Sequence, residues 1–118
     1  MITEKGTLII GVTFAGKIHK AFELRPALVR DSIEAVEQDV RAVKNESYMG
    51  LCLIAKQLLA LGDIPKKEIT PAMLMDMHEI DMAEVTEANR RLQKRLRQFR
   101  GKVAADPPND SGDATARV

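Results

Sequence analysis

Tryptophan is absent from this chain, tyrosine occurs once and phenylalanine three times, so Phe14, Phe22, Tyr48 and Phe99 are its only aromatic side chains. Only Phe99 lies within the basic segment from Arg90 to Lys102, and a single ring makes no stacking platform for single-stranded nucleic acid. Cysteine is represented by Cys52 alone, in the apolar run Leu51 to Ala55. One cysteine forms no intrachain disulfide, which fits a reducing compartment, and an apolar setting makes a thiol inert. The two histidines, His19 and His78, are far apart and have no partner at ligand spacing. His78-Glu79-Ile80-Asp81 resembles the start of a zinc helix but lacks the second histidine. No glycine-rich phosphate loop is present, since Gly11 and Gly16 flank a turn. Catalysis needs a nucleophile with a base, an acid–base pair or convergent metal ligands, and the chain holds these residue types only as singles. It therefore reads as non-enzymatic, with no cofactor and no metal.

Long apolar runs are missing too. Tyr48 to Leu61 is broken by Lys56-Gln57 and is too short to span a bilayer. Met1 to Thr7 has no hydrophobic region of the signal-peptide kind. A cytoplasmic protein with no membrane contact is expected.

What is present is periodicity. Leu8, Ile10, Val12 and Phe14 alternate with Thr7, Ile9, Gly11 and Thr13. Beyond Ala15-Gly16-Lys17, Ile18, Phe22 and Leu24 share a face interrupted by Lys20. Two alternating runs around a short glycine-containing connection predict a β-hairpin. Such a hairpin is marginal alone, so its apolar face must cover helices or pair with another copy. Pro26 ends the register, and a first helix is expected to start between Ala27 and Asp31. Its stripe is Ile33, Val36, Val40 and Val43. Asn45 is the natural cap of a second helix, running to Leu61 and stopping at Gly62 in a left-handed conformation. That helix is apolar nearly all round, as a central helix should be.

Thr70-Pro71 starts a short helix reaching about His78, because the hydroxyl can cap orphan N–H groups and proline loses nothing at the first helical position. Asp81 with Glu84 reads as a capping box, and Ile80 with Val85 as a hydrophobic staple. The last helix, about Met82 to Arg100, carries the stripe Val85, Ala88, Leu92, Leu96 and Phe99. From Gly101 to Val118 the composition shifts to small and polar residues around Pro107-Pro108. The expected fold is α+β: an N-terminal β-hairpin followed by a small bundle of about four helices. Residues 1–100 form one domain and 101–118 a flexible tail.

Two features point outward. Methionine crowds into Met73, Met75, Met77 and Met82, and unbranched thioether chains adapt to varied partners. Seven basic residues and no acidic one fall between Arg90 and Lys102. A partner-binding face is expected at Met73, Met75, Met77, Met82, Arg91, Leu92, Arg95 and Leu96. A small nucleic-acid-binding protein using the basic helix is the alternative. It is the weaker one, because no recognition helix follows a tight turn and the chain as a whole is not strongly basic.

The order and spacing of several common elements resemble the Mu-like phage tail assembly chaperone family. They are Gly16-Lys17 with Phe22-Glu23-Leu24-Arg25, then Asp31, Ala60-Leu61-Gly62 with Ile64-Pro65, Ile69-Thr70, Leu74, Asp81 and Ala88. The resemblance covers Gly6 to Phe99. It implies a chaperone of the phage tape measure protein, a long helical chain held soluble until tail tube subunits polymerise around it. Tail tube protein is then a further candidate partner, and a homo-oligomer in the bacterial host cytoplasm is expected.

Overall fold

A computed structural model describes residues 1–104, with side chains described up to Phe99. The hairpin forms as the alternation predicts. Strand β1 (Glu4–Phe14) pairs antiparallel with β2 (Lys17–Leu24), and Ala15 and Gly16 make the two-residue turn. Both turn residues have positive φ, 52° and 78°, the sign that a turn matching strand twist requires.

The alternation breaks inside the hairpin. Thr7 pairs with Ala21 and Val12 with His19, so Leu8 to Gly11 in β1 stand opposite Lys20 alone. This large irregular bulge turns Ile9 and Ile10 outward together and shifts the register of the hairpin. His19 is consequently buried where Ile18 was expected, and Ile18 is exposed. Gly11 sits in the bulge at φ +99°, where a Cβ would also strike the Ile18 side chain.

Five helices follow: α1 (Val29–Gln38), α2 (Arg41–Lys44), α3 (Glu46–Gln57), α4 (Pro71–Leu74) and α5 (Glu79–Ala104). Asn45 caps α3 as predicted, accepting the Tyr48 N–H at 3.1 Å. Thr70 caps α4 in the same way, at 3.2 Å from the Met73 N–H, with Pro71 at the first helical position. The expected single helix before Asn45 is instead two. Asp39 is extended, and its carboxylate accepts the Arg41 N–H (3.0 Å) and the Tyr48 hydroxyl (2.6 Å). A side chain that bonds nearby backbone competes with the helix, and here it ends one.

The second helix also stops short. Leu58 to Leu61, expected to be helical, form a third strand, β3, giving an antiparallel sheet in the order β1-β2-β3. Leucine and alanine favour a helix, so the sheet wins through tertiary partners. Phe22 pairs with Leu61 and Glu23 with Ala60, and the Arg25 N–H donates to the Gln57 carbonyl at 2.9 Å. Lys66 closes the end of α3 by donating to the carbonyls of Ala55 (2.8 Å), Lys56 (3.3 Å) and Leu58, and helix-end carbonyls need such donors from outside the helix. Gly62 does take up the expected left-handed conformation (φ +55°), but it ends β3 rather than a helix, with its N–H on the Ala21 carbonyl at 2.7 Å. A Cβ there would collide with the His19 ring.

The main core lies between the sheet and α5. Leu24, Leu58, Leu61, Val85, Ala88 and Leu92 are fully buried, with Leu8, Phe22, Ile64, Ile69 and Leu74 around them. Burying each leucine contributes about 2–3 kcal/mol. A smaller cluster of Ala35, Ala42, Tyr48 and Cys52 joins α1 and α2 to α3. Two buried carboxylates tie the layers. Asp31 receives both Arg25 guanidinium nitrogens (3.0 and 2.8 Å) and the Leu28 N–H (2.7 Å). Asp81 receives three N–H groups of the β1 bulge. It therefore does not form the predicted capping box: α5 begins at Glu79, and Ile80 is exposed rather than stapled. The helix also continues through Gly101 to Ala104, past the predicted end at Arg100. The rest of the expected tail, 105–118, lies outside the described residues.

Candidate functional site

The three methionines around the α4–α5 connection are positioned by what their neighbours bury. Leu74 is buried and pins the single turn of α4, so Met75, next along the chain, emerges to 57% exposure. The Met77 N–H then closes back on the Leu74 carbonyl at 3.1 Å. At the start of α5 the Asp81 carboxylate is fixed against β1, and Met82, a hundred degrees further around the helix, turns away from that contact. Met75, Met77 and Met82 thus meet over Leu51 and Ile54 of α3 and enclose a groove of about 660 Å³. Ser47, Gly50, Leu74, Glu79, Ala83 and Thr86 complete its lining.

This groove is aliphatic and sulfur-lined, with one carboxylate at its edge. It suits the side chains of an apolar or amphipathic helix laid between α3 and α5, because methionine can repack around different shapes. Its polar side chains are Ser47, Glu79 and Thr86. Among the described residues no three His, Cys, Asp or Glu side chains converge on a metal position. Cys52 is buried in the smaller cluster, and burial pushes its thiol pKa up, as its apolar setting suggested.

The predicted partner face is divided by the structure. Met75, Met77 and Met82 share the groove. Met73 is half-buried against the main core, as Met77 and Met82 are, but it lines a different hollow beside Gly11, Val12 and His78, which it shares with Met77. Leu92 is fully buried, so it belongs to the core and not to a contact surface. Leu96 packs half-buried on that core. The reason is that the α5 stripe faces the sheet.

Arg91 and Arg95 also turn toward the sheet. Arg91 Nε donates to Glu4 at 3.0 Å, and Arg95 Nη1 donates to Glu4 and to the Thr3 carbonyl, both at 2.6 Å. Hydrogen bonds from Arg91 and then Arg95 hold the Glu4 carboxyl below its usual range. Arg90 pairs with Glu87 on its own helix. Of the basic run up to Phe99, this leaves Lys94 and Arg97 without an ion pair among the described residues. The sequence showed seven positive charges but not the acidic strand end that receives two of them.

Sequence reasoning missed Leu51 and Ile54 as groove walls. Their spacing of three residues was visible, but an all-round apolar helix gives no sign of which side stays uncovered. It gave Ile33, Val36, Val40 and Val43 as one apolar stripe without saying what covers it, and all four are exposed. No helix of the described residues is long and apolar enough to cross a membrane. No protein-family model, curated protein or solved structure matches the chain.

Proposed function

We propose that this chain is a non-catalytic assembly chaperone that binds an apolar helical segment of a phage tape measure protein in the groove between α3, α4 and α5. The observation that carries the reading is the groove itself: three methionines, Leu51 and Ile54 gathered around one open apolar channel. A long tape measure helix with uncovered apolar faces aggregates, and a cover must later yield to tail tube protein. Adaptable contacts of modest strength, repeated along a filament, suit that exchange better than one tight site. The resemblance to Mu-like tail assembly chaperones over Gly6 to Phe99 supports the same partner. It also supports action in the bacterial host cytoplasm, with tail tube protein as a second partner.

The test is co-expression with the neighbouring long reading frame. The partner should move into the soluble fraction with this protein, and a complex should survive gel filtration. Changing Met75 and Met82 together to Ser should release the partner while leaving the circular dichroism spectrum unchanged. A partner equally insoluble with and without this protein would overturn the reading.

A further inference from the structure

Helix α1 is turned inside out. Its inner face carries Asp31, held by Arg25, with Ala35 against α3. Its apolar residues point to solvent: Val29 is 81% exposed and Ile33 52%, with Val36 also exposed. Val40 and Val43 continue beyond the Asp39 break at 67% and 64%. On α1 itself Val29, Ile33 and Val36 follow spacings of four and three, those of a seam between paired helices, and Val40 and Val43 add exposed apolar surface beyond the extended Asp39. Leu28, next to Val29 in the chain, is also exposed, and a concentration of large apolar side chains in solvent marks an interaction surface.

Charge says what covers it. Arg30 and Glu37 flank the stripe one heptad apart, and neither forms an ion pair among the described residues. We infer that the outer face of α1 is a self-association seam, in which two copies pack α1 against α1 antiparallel about a two-fold axis. With the axis between Ile33 and Val36, Ile33 of each copy meets Val36 of the other. Val29 then lies over the Asp39–Val40 end of the second copy, and Arg30 of each copy sits beside Glu37 of the other, giving two reciprocal pairs. A parallel in-register pair would instead set Glu37 against Ser32 and leave Arg30, in the first turn of α1, with no helical counterpart on the second copy. Such a seam is self-complementary, as a two-fold interface must be. Two such short helices bury on the order of 1,000 Å² in total, the low end of specific interfaces. This surface is separate from the methionine-lined groove, so either assignment can fail without the other.

Sedimentation velocity over a micromolar concentration series tests it. The full chain should shift from monomer to dimer as concentration rises. Ile33→Glu with Val36→Glu should hold it monomeric with an unchanged melting temperature, since both side chains are already exposed. Arg30→Glu alone and Glu37→Arg alone should each weaken association about tenfold, because each sets like charges together. Combining the two should restore it, since the reciprocal pairs re-form with reversed signs. A full chain that stays monomeric throughout, or a dimer indifferent to Ile33→Glu with Val36→Glu, would overturn the seam. Failure of the combined charge reversal to restore association would overturn the antiparallel arrangement.

Discussion

The Asp81 carboxylate and the Gly11 N–H meet at 2.9 Å across seventy residues of chain, and Ile9 and Ile10 donate to the same carboxylate at 2.7 and 2.8 Å. Three consecutive backbone donors pointing at one anion form a small nest. Here the anion is supplied by the first turn of α5, so the bulge in β1 and the start of the long helix fix each other. The contact also occupies donors of an edge strand that would otherwise be open to pairing with another chain.

Asp81→Asn should therefore cost more than a surface change. The amide keeps one acceptor oxygen but brings an NH₂ group against N–H donors, leaving at least one buried donor unsatisfied. A loss of about 2–4 kcal/mol is expected in denaturant unfolding at neutral pH. A change below about 0.5 kcal/mol would show that the bulge is held by something else.

Acid should act through the same class of group. Burial pushes the Asp81 carboxyl up, but the three N–H groups outweigh it and leave the pKa lowered. Hydrogen bonds from Arg25 lower that of Asp31. Those from Arg41 and Tyr48 bring Asp39 from 3.8 to about 2. A carboxyl whose pKa is lower in the folded state contributes stability that is complete above its ordinary value and lost as pH falls toward the folded one. Melting temperature should thus decline below the ordinary carboxylate range, with the Asp39 part of the loss falling between 3.8 and about 2. Asp39→Asn should flatten that last part of the curve, and an unchanged acid limb would argue against the Asp39–Arg41–Tyr48 cluster.

Ala15 is an alanine in a left-handed position, at φ 52°, and is followed by Gly16. L-residues with a Cβ lose about 1–2 kcal/mol there, and asparagine tolerates it better. Ala15→Asn creates the preferred Asn-Gly hairpin turn and should stabilise the protein by up to about 1 kcal/mol. A lowered denaturation midpoint would mean that the turn is not of this type.

The hairpin, the caps at Asn45 and Thr70 and the stripe Val85, Ala88, Leu92 were legible because each is written in a few adjacent residues. What escaped the sequence was decided at long range. Leu58 to Leu61 carry helix-forming side chains and become a strand because β2 and the Lys66 ammonium compete for their backbone. The β1 bulge depends on a carboxylate seventy residues away. The valine stripe of α1 was correctly seen as apolar and periodic, but periodicity does not say whether the covering surface lies within the chain. The methionine cluster was similarly visible in composition, while the division of Met73 from Met75, Met77 and Met82 needed the turn after Leu74.

The basic helix gives a salt test. Arg91 and Arg95 are engaged by Glu4, and Arg90 by Glu87, which leaves Lys94 and Arg97 as the unpaired bases of this run among the residues with described side chains. Binding to duplex DNA should be weak, independent of sequence and lost near physiological salt. Fluorescence anisotropy across a salt series measures this directly. Nanomolar sequence-selective binding at that salt would favour the nucleic-acid reading over the chaperone.

The division of the methionines makes the sharpest stability prediction. Met75→Ser removes an exposed side chain and should change unfolding free energy by no more than about 0.5 kcal/mol. Met73→Ser removes contacts with the core beneath β1 and should cost about 1–2 kcal/mol, less than a fully buried methionine because the site is half-open. Both are read from the urea midpoint at an unchanged slope, so that a difference reflects stability and not a change in the unfolded state. In a partner-binding assay the order should reverse, with Met75→Ser weakening capture and Met73→Ser, once folded, retaining it. Equal effects of the two substitutions in both assays would place them in one environment, contrary to the groove described above.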